Sequence, residues 1–194
     1  AAWKTEKLYQ IKQLIVACSG VYMEAICAKQ YAALDDTLKV TTNVVNRSAE
    51  KIVFKNFYST GAAILRDSVL PLSETTSATS MLLLSKTADV SQPYWLQQQR
   101  TSGMFTVATP TLIGNALSAP ASAVTLTLNI GGKDFNFDLP VQFKKLDPSK
   151  GEVYQPLYIT PPATANFSQE VFITTGLEKE VTVNVRAFAK NITG

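Results

Sequence analysis

The chain has 194 residues, of which 46% are hydrophobic, enough for one large or two small domains with a buried core. It contains no histidine, which removes the commonest general base and the commonest neutral metal ligand. Its 18 basic and 15 acidic residues give a net charge of +3, and the lysines are scattered rather than clustered. We therefore expect no nucleic-acid partner and no catalytic role for this chain.

The low charge content points to an exported protein. Charged residues make up 17% of the chain, below the roughly 25% of average globular proteins, while Thr, Ser, Ala and Val are abundant. We expect a periplasmic or extracellular location, with the export signal on a part of the polypeptide that this sequence does not include. The longest apolar-leaning stretch, residues 14–28, contains Ser19 and Glu24, so we expect no membrane span.

Residues 5–33 carry apolar side chains at steps of three or four, the spacing of one helix face. The stripe consists of Leu8, Ile11, Ile15, Cys18, Tyr22 and Ala25. The pattern predicts an amphipathic α-helix against the core, within an N-terminal segment 1–36 that ends in an Asp35-Asp36 turn. This helix either packs on the core of the chain as a structural element or docks an upstream domain. Gly20 lowers intrinsic helicity by about 1 kcal/mol relative to alanine, which allows close packing or a break.

Cys18 and Cys27 are the only cysteines. On one continuous helix their Cα atoms would lie about 13 Å apart, too far for a disulfide. We interpret both as small buried apolar residues. The sequence contains no CxxC pair and no metal-ligand spacing, so neither a metal nor another cofactor is expected.

The rest of the chain has the alternation of short strands. Residues 38–44 alternate apolar and polar side chains, and Ile52, Phe54 and Phe57 indicate a second strand. The clearest hairpin spans residues 124–139 around Gly131-Gly132, because glycine supplies the positive φ values of tight turns. Further strands are predicted at 70–72, 80–84, 104–107, 141–143, 154–159, 171–174 and 181–188. Their spacing predicts an immunoglobulin-like β-sandwich over residues 37–160.

Pro161-Pro162 is predicted to be a domain boundary or a point where the chain changes sheets, since the residue before a proline is pushed to extended conformations. The final segment, residues 161–194, holds only two or three strands. It either completes the sandwich or opens a truncated second immunoglobulin-like domain.

The candidate site is the sequence around Tyr94 and Trp95. Pro93 fixes the backbone beside these two aromatics, and Gln97 and Arg100 follow with hydrogen-bonding capacity. Exposed aromatics beside amide and guanidinium groups suit stacking on sugars or anchoring of a partner protein. The alternative is a buried aromatic corner that closes the sandwich. Carboxylates at Asp35-Asp36 and in residues 147–152 are explained by turn formation.

Several segments, in order, resemble one family. They are residues 15–25, 38–41, 45–48, 92–96, 103–105, 113–114 and 147–154. Together they are similar to the region after the catalytic domain in large exported PIG-L/LmbE-like deacetylases of Bacteroidetes-type bacteria. The tail, residues 181–194, is similar to the opening strands of a NEW3-like immunoglobulin domain.

This resemblance implies an accessory module rather than an enzyme. In that family, an N-terminal domain with a His-Pro-Asp-Asp-type motif removes acetyl groups from N-acetylglucosamine-type sugars with zinc. That motif does not occur in this chain, so no catalytic or zinc-binding residue carries over. The implied partner is the upstream catalytic domain of the same polypeptide.

Three functions remain open at this point. The first is a non-catalytic docking or spacing module of an exported carbohydrate-active deacetylase. The second is a carbohydrate-binding module that uses Tyr94, Trp95, Gln97 and Arg100; an exposed, coplanar aromatic pair would favour it, whereas burial of Trp95 would favour the first. The third is a surface adhesin or assembly subunit, which an unpaired hydrophobic edge strand would favour.

Overall fold

A computed structural model describes residues 2–59, 62–169, 171, 173, 176 and 180–188. The chain is mainly β with one N-terminal helix. The helix is α1 (Ala2–Cys18), and the strands are β1 (Val21–Cys27), β2 (Tyr31–Ala33), β3 (Thr37–Asn46), β4 (Ile52–Ser59), β5 (Ala62–Val69), β6 (Thr75–Leu83), β7 (Ala123–Ile130), β8 (Lys133–Asp147), β9 (Gly151–Pro156), β10 (Tyr158–Thr160), β11 (Ala163–Phe167) and β12 (Val183–Ala187).

Eight strands form one sheet that curls into a half-barrel. The strand order is β5-β4-β7-β8-β1-β3-β6, and β9 pairs with the far half of β8. Neighbouring strands are antiparallel except β1 and β8, which run parallel. The ends of the sheet approach each other: Arg66 of β5 donates a hydrogen bond to the Ser77 carbonyl of β6 (2.7 Å). The Ser59 and Ser80 hydroxyls meet inside the curl at 3.2 Å.

The core lies on one face of this sheet, because alternate residues of each strand point to the same side. In β3, the side chains of Leu38, Val40, Thr42 and Val44 are buried, while those between them are exposed or half-buried. The largest fully buried side chains are those of Phe54 and Phe57 on β4. The strands predicted around residues 38–44 and at Ile52, Phe54 and Phe57 are therefore confirmed.

The predicted hairpin at Gly131-Gly132 is also confirmed. It joins β7 to β8, and both glycines have positive φ, +58° and +81°. β8 is long enough to pair with β7 over its first half and with β1 and β9 further on. The predicted strand at 141–143 is thus the middle of β8, which links the two halves of the curled sheet.

The predicted helix over residues 5–33 is wrong beyond Cys18. Gly20 has a φ of +63°, a left-handed conformation that ends a helix and that glycine adopts without steric cost. Its N–H donates to the Ala17 carbonyl at 3.3 Å, and the chain then turns into β1. Tyr22 and Ala25 fit a helical step of three, yet they sit on opposite faces of a strand. Of the two alternatives for Gly20, the structure shows the break.

The prediction that the helix lies against the core holds only for its last turns. Val16 packs against the core, whereas Trp3, Leu8, Ile11 and Leu14 are exposed. The two cysteines also differ in burial. Cys27 is buried in β1, as predicted, but Cys18 is exposed at the end of α1, so its predicted burial is wrong; both thiols are free.

Two predicted strands are wrong, and strand β5 is not among the predicted strands. Residues 70–72 follow β5 and hold only an isolated bridge at Leu72, while the strand itself is Ala62–Val69. Residues 104–107 belong to a loop, with one bridge between Thr101 and Met104. The predicted strand 80–84 is the end of β6, and 154–159 is split between β9 and β10. Of the predicted strand 171–174, Phe172 and Thr174 lie outside the described residues, as does the tail after Phe188.

Pro161-Pro162 does separate strands of different sheets, as predicted. β10 before the prolines pairs with β2, and β11 after them pairs with β12. The Tyr31 and Tyr158 rings stack at 5.7 Å across the β2–β10 pair. The mainly β class is thus confirmed. The immunoglobulin-like sandwich and the divisions at residues 36/37 and 160/161 stay predictions.

Candidate functional site

The predicted site residues lie on the long loop between β6 and β7. Tyr94 and Trp95 begin a single 3₁₀ turn, Tyr94–Leu96. Tyr94 is buried, Trp95 is half-buried, and Gln97 and Arg100 are exposed. The two rings meet edge to face, with centroids 4.9 Å apart and planes at 89°. They therefore form neither a coplanar exposed pair nor a fully buried aromatic corner.

Hydrogen bonds fix this turn to the rest of the loop and to the body of the protein. Ser118 Oγ accepts from the Tyr94 backbone N–H and donates to the Gln92 carbonyl, both at 3.1 Å. The Tyr94 hydroxyl accepts from the Gly114 N–H at 3.3 Å. Nearby, the Ser91 hydroxyl accepts from the Ile159 N–H at 2.8 Å, which ties the loop to β10.

Beside this turn lies an open apolar depression of about 460 Å³, which we call the aromatic hollow. It is lined by Tyr94, Trp95, Gly103, Met104, Phe105, Val107 and Ile113. Of the four predicted site residues, the structure therefore brings Tyr94 and Trp95 together in one wall. Gln97 and Arg100 are not part of the lining. The sequence does not single out Met104, Phe105 or Ile113 as site residues; Met104 and Phe105 fall in the wrongly predicted strand 104–107.

A second cluster, which the sequence did not reveal, surrounds Glu24 on the sheet face opposite the core. The Glu24 cluster consists of Tyr22, Glu24, Asn43, Lys144, Glu152 and Tyr154. Glu24 accepts hydrogen bonds from the Tyr154 hydroxyl (2.6 Å), the Asn43 amide (2.7 Å) and the Tyr22 hydroxyl (2.9 Å). Its side chain is only 9% exposed. These contacts join strands β1, β3 and β9.

Lys144 of β8 completes the cluster. Its ammonium group lies 2.9 Å from Glu152 and 3.4 Å from Glu24, and 5.2 Å from the centre of the Tyr154 ring. On the other side, the Arg47 guanidinium lies 5.3 Å from the centre of the Tyr22 ring. The nearly buried carboxylate is therefore both hydrogen-bonded and paired with a cation, as a buried charge requires.

The surroundings hold Glu24, Tyr22 and Lys144 in the forms that they have at neutral pH. Burial alone would raise the pKa of Glu24, but the hydrogen bonds from Tyr154, Asn43 and Tyr22 and the charge of Lys144 outweigh it and lower that pKa. Burial, then the hydrogen bonds with Tyr154 and Glu24, raise the pKa of Tyr22. The hydrogen bond to Glu152 is the main cause that raises the pKa of Lys144.

These shifts decide what the Glu24 cluster can do chemically. A general acid or base works best with a pKa near the operating pH. The pKa values of Glu24, Tyr22 and Lys144 all move away from neutrality, so these three groups keep their protons or their charges over the physiological range. The cluster is suited to holding four strands together rather than to transferring protons.

Two further observations concern the described residues. They contain no group of three or more Cys, Asp or Glu side chains placed to hold a metal ion. No helix in this part of the chain combines the length and apolar character that crossing a bilayer requires.

Compared with known proteins, the chain matches no family model, and no curated protein is significantly similar to it.

Proposed function

We propose that this chain is a non-catalytic accessory module of an exported, PIG-L-like carbohydrate-active protein and that it docks the preceding catalytic domain through α1. The observation that carries the proposal is the exposed apolar stripe of α1. Trp3, Leu8, Ile11 and Leu14 are 75%, 51%, 52% and 62% exposed. The predicted amphipathic character is wrong for α1, because apolar side chains also lie on its other side, where Tyr9 is 59% exposed. Exposed apolar side chains of this kind are nevertheless usually covered by a partner.

The geometry of α1 gives this stripe a direction. With about 3.6 residues per turn, Leu8, Ile11, Leu14 and Cys18 fall on one side of the helix. The contacts with the sheet come from another side, where Val16 packs on the core and Lys12 donates to the Asn136 carbonyl at 3.2 Å. The stripe is therefore distinct from the Val16 and Lys12 contacts, but Ile15 on the stripe side is half-buried and Tyr9 on the side of Val16 is 59% exposed. Covering such a surface with a partner lowers the free energy, because apolar groups leave water. Contiguous exposed apolar surface therefore marks interaction sites.

The non-catalytic part of the proposal rests on side-chain chemistry. The chain has no histidine, and Glu24, a nearly buried acid of the described residues, is fully engaged with a depressed pKa. We expect the isolated chain to show no deacetylation of N-acetylglucosamine substrates, with or without added zinc. Metal-dependent turnover by the purified chain would contradict the proposal.

Charge insertion on the stripe tests the docking role. In the isolated chain, Ile11→Glu and Leu14→Glu should change the free energy of unfolding by less than about 0.5 kcal/mol, because both side chains are exposed. In a polypeptide that also carries the preceding domain, both variants should increase the rate of proteolysis between the domains and the radius of gyration.

The matched control is Gln13→Glu, which adds the same charge at an exposed position outside the stripe. It should leave the longer polypeptide unchanged. If the stripe variants behave like this control, the stripe is not a docking surface. If they destabilise the isolated chain by more than about 1 kcal/mol, the stripe is already buried and the premise is wrong.

A second candidate, carbohydrate binding, is favoured by the half-buried Trp95 in the wall of the aromatic hollow, with Gln97 and Arg100 exposed close by in the chain. The edge-to-face geometry of Tyr94 and Trp95 weakens it, since a flat sugar face stacks best on aligned rings. Binding on a glycan array that is lost in Trp95→Ala would establish this function.

A further inference from the structure

Strand β6 forms one edge of the curled sheet, and its sequence lacks the residues that usually protect such an edge. Its nine residues, Thr75–Leu83, include no charged residue, no proline and no glycine. They pair with β3 in one unbroken register, from Thr37↔Leu83 to Val45↔Thr75. Natural sheets use charges, prolines and bulges to keep an edge from pairing with another chain. By these criteria β6 is an unprotected edge.

The direction in which the backbone groups of β6 point follows from two hydrogen bonds. The N–H of Leu84, the residue after the strand, donates to the Asp36 carbonyl beside β3 at 3.0 Å. Successive residues of an antiparallel strand direct these groups to opposite sides, so the odd-numbered residues of β6 direct theirs to the open side. The Ser77 carbonyl agrees, because Arg66 of β5 donates to it from that side at 2.7 Å.

The opposite edge of the sheet, β5, has the protection that β6 lacks. Its sequence contains Arg66 and Asp67, and Asp67 has a φ of +43°, a conformation that disturbs a regular edge. The register between β5 and β4 also shifts between Phe54 and Asn56. A strand like β6 would therefore meet charges and irregular backbone at β5, but a neutral and regular edge at another β6.

Arg66 is placed to cover the edge of β6. Its guanidinium group donates to the Ser77 carbonyl and lies 5.9 Å from the centre of the Phe54 ring. It thus brings to the neutral edge a positive charge that β6 does not supply. A strand that pairs along the whole of β6 needs the Ser77 carbonyl as an acceptor, so it must first displace Arg66.

We propose that Arg66 is a gatekeeper that prevents β6 from pairing with β6 of a second copy of this chain. In an antiparallel pair about a two-fold axis at Thr79, the two strands overlap over their full length, with Ser77 opposite Met81 and Thr75 opposite Leu83. No charges meet in this pairing, and threonine pairs across strands are favourable. An interface that uses the same strand in both copies closes as a dimer. This proposal is independent of docking through α1.

Sedimentation equilibrium of the whole chain tests the role of Arg66. Wild type should remain monomeric over a concentration range in which Arg66→Ala approaches twice the monomer mass. The association constant should rise at least about tenfold, because pairing no longer breaks a charge-assisted hydrogen bond. Arg186→Ala is the matched control, since it removes an exposed arginine that also lies over an aromatic ring, 4.9 Å from the centre of Phe188. This control should remain monomeric.

A charge on the edge tests which surface associates. Thr79→Lys, added to Arg66→Ala, would place two ammonium groups opposite each other at the two-fold axis and should restore the monomer. Asn166→Lys adds the same charge at an exposed position on β11 and should not restore it. In the Arg66→Ala dimer, hydrogen exchange should slow at the amides of residues 75, 77, 79, 81 and 83.

Three results would overturn the gatekeeper role. The first is equal association of wild type and Arg66→Ala, and the second is association that Thr79→Lys does not reverse, which would come from another surface. The third is a wild type that is already dimeric through β6. If circular dichroism shows that Arg66→Ala is unfolded, Arg66→Gln replaces it, because this variant loses the charge and keeps most of the side chain over Phe54.

Discussion

The Glu24 cluster and the aromatic hollow gather polar and aromatic side chains in opposite ways. In the cluster, strands bring together residues up to 132 positions apart, and the central carboxylate is paired with hydroxyl, amide and ammonium groups. In the hollow, one loop supplies the whole lining, and the side chains of Met104, Phe105 and Ile113 are exposed although Tyr94 is buried. The conspicuous charges are thus paired within the protein, and the apolar side chains of the hollow are left with unfilled contacts.

The largest expected effect is the loss of stability when Glu24 of the Glu24 cluster is replaced. Glu24→Ala removes the acceptor shared by Tyr22, Asn43 and Tyr154 and leaves Lys144 with one carboxylate fewer. The free energy of unfolding should fall by about 2–4 kcal/mol, because breaking a nearly buried, charge-assisted network leaves its partners unsatisfied. Urea denaturation measures this value. A loss below about 1 kcal/mol would show that the cluster is not a stabilising element.

The second effect is a pH dependence confined to the cluster. Because the pKa of Glu24 is lowered from its ordinary value of 4.5, its contribution is fully present above that value and is lost as the pH falls through the folded-state pKa. The difference in unfolding free energy between the wild type and Glu24→Gln should be constant from pH 7 to about pH 5 and should shrink in more acidic solution.

The control for this titration is internal. Asp147, whose pKa is lowered by hydrogen bonds from Ser149, is present in both proteins, so its own acid sensitivity cancels in the difference. A difference that stays constant down to pH 3 would contradict the role assigned to Glu24.

A smaller loss of stability is expected when a hydrogen bond that supports the aromatic hollow is removed. Tyr94→Phe removes the acceptor of the Gly114 N–H while retaining the buried ring. The cost should be about 0.5–1.5 kcal/mol, the net contribution of one hydrogen bond. Thermal unfolding gives this cost, and Trp95 emission in a Trp3→Phe background shows whether the hollow changes shape. An effect as large as that of Glu24→Ala would remove the contrast between the two regions.

The smallest effect is expected at the rim. Met104→Ser should alter the free energy of unfolding by less than about 0.5 kcal/mol, since the side chain is exposed. A loss above 1 kcal/mol would indicate that Met104 packs on the body of the protein, so that the hollow is part of the core rather than a surface for recognition.

Features that depend on residues close together in the sequence could be predicted, and features that depend on distant residues could not. Strand β3 and the Gly131-Gly132 hairpin were predicted correctly because alternation and turn chemistry are local. The extent of α1 was not, because Tyr22 and Ala25 continue a helical spacing by chance while their backbone pairs with β3. Gly20 was the one local signal of that break.

The Glu24 cluster lay beyond sequence reasoning for a physical reason. The helical spacing of residues 5–33 puts Glu24 on a helix, and its partners Lys144 and Tyr154 come from strands whose register is set by tertiary pairing. The isolated acid in an otherwise apolar stretch was the only available signal. Tyr94 and Trp95 stand out as candidates because aromatics beside a proline are conspicuous, whereas the wrong strand prediction at 104–107 hides Met104 and Phe105.

The central claim, that α1 presents a docking surface for a preceding domain, is tested most directly by hydrogen exchange. A 17-residue helix held mainly at its last turns opens readily by itself. The amides of residues 6–14 should therefore exchange rapidly in the isolated chain. In a polypeptide that includes the preceding domain, we predict protection of these amides by at least about tenfold. Equal exchange in both proteins would contradict the account.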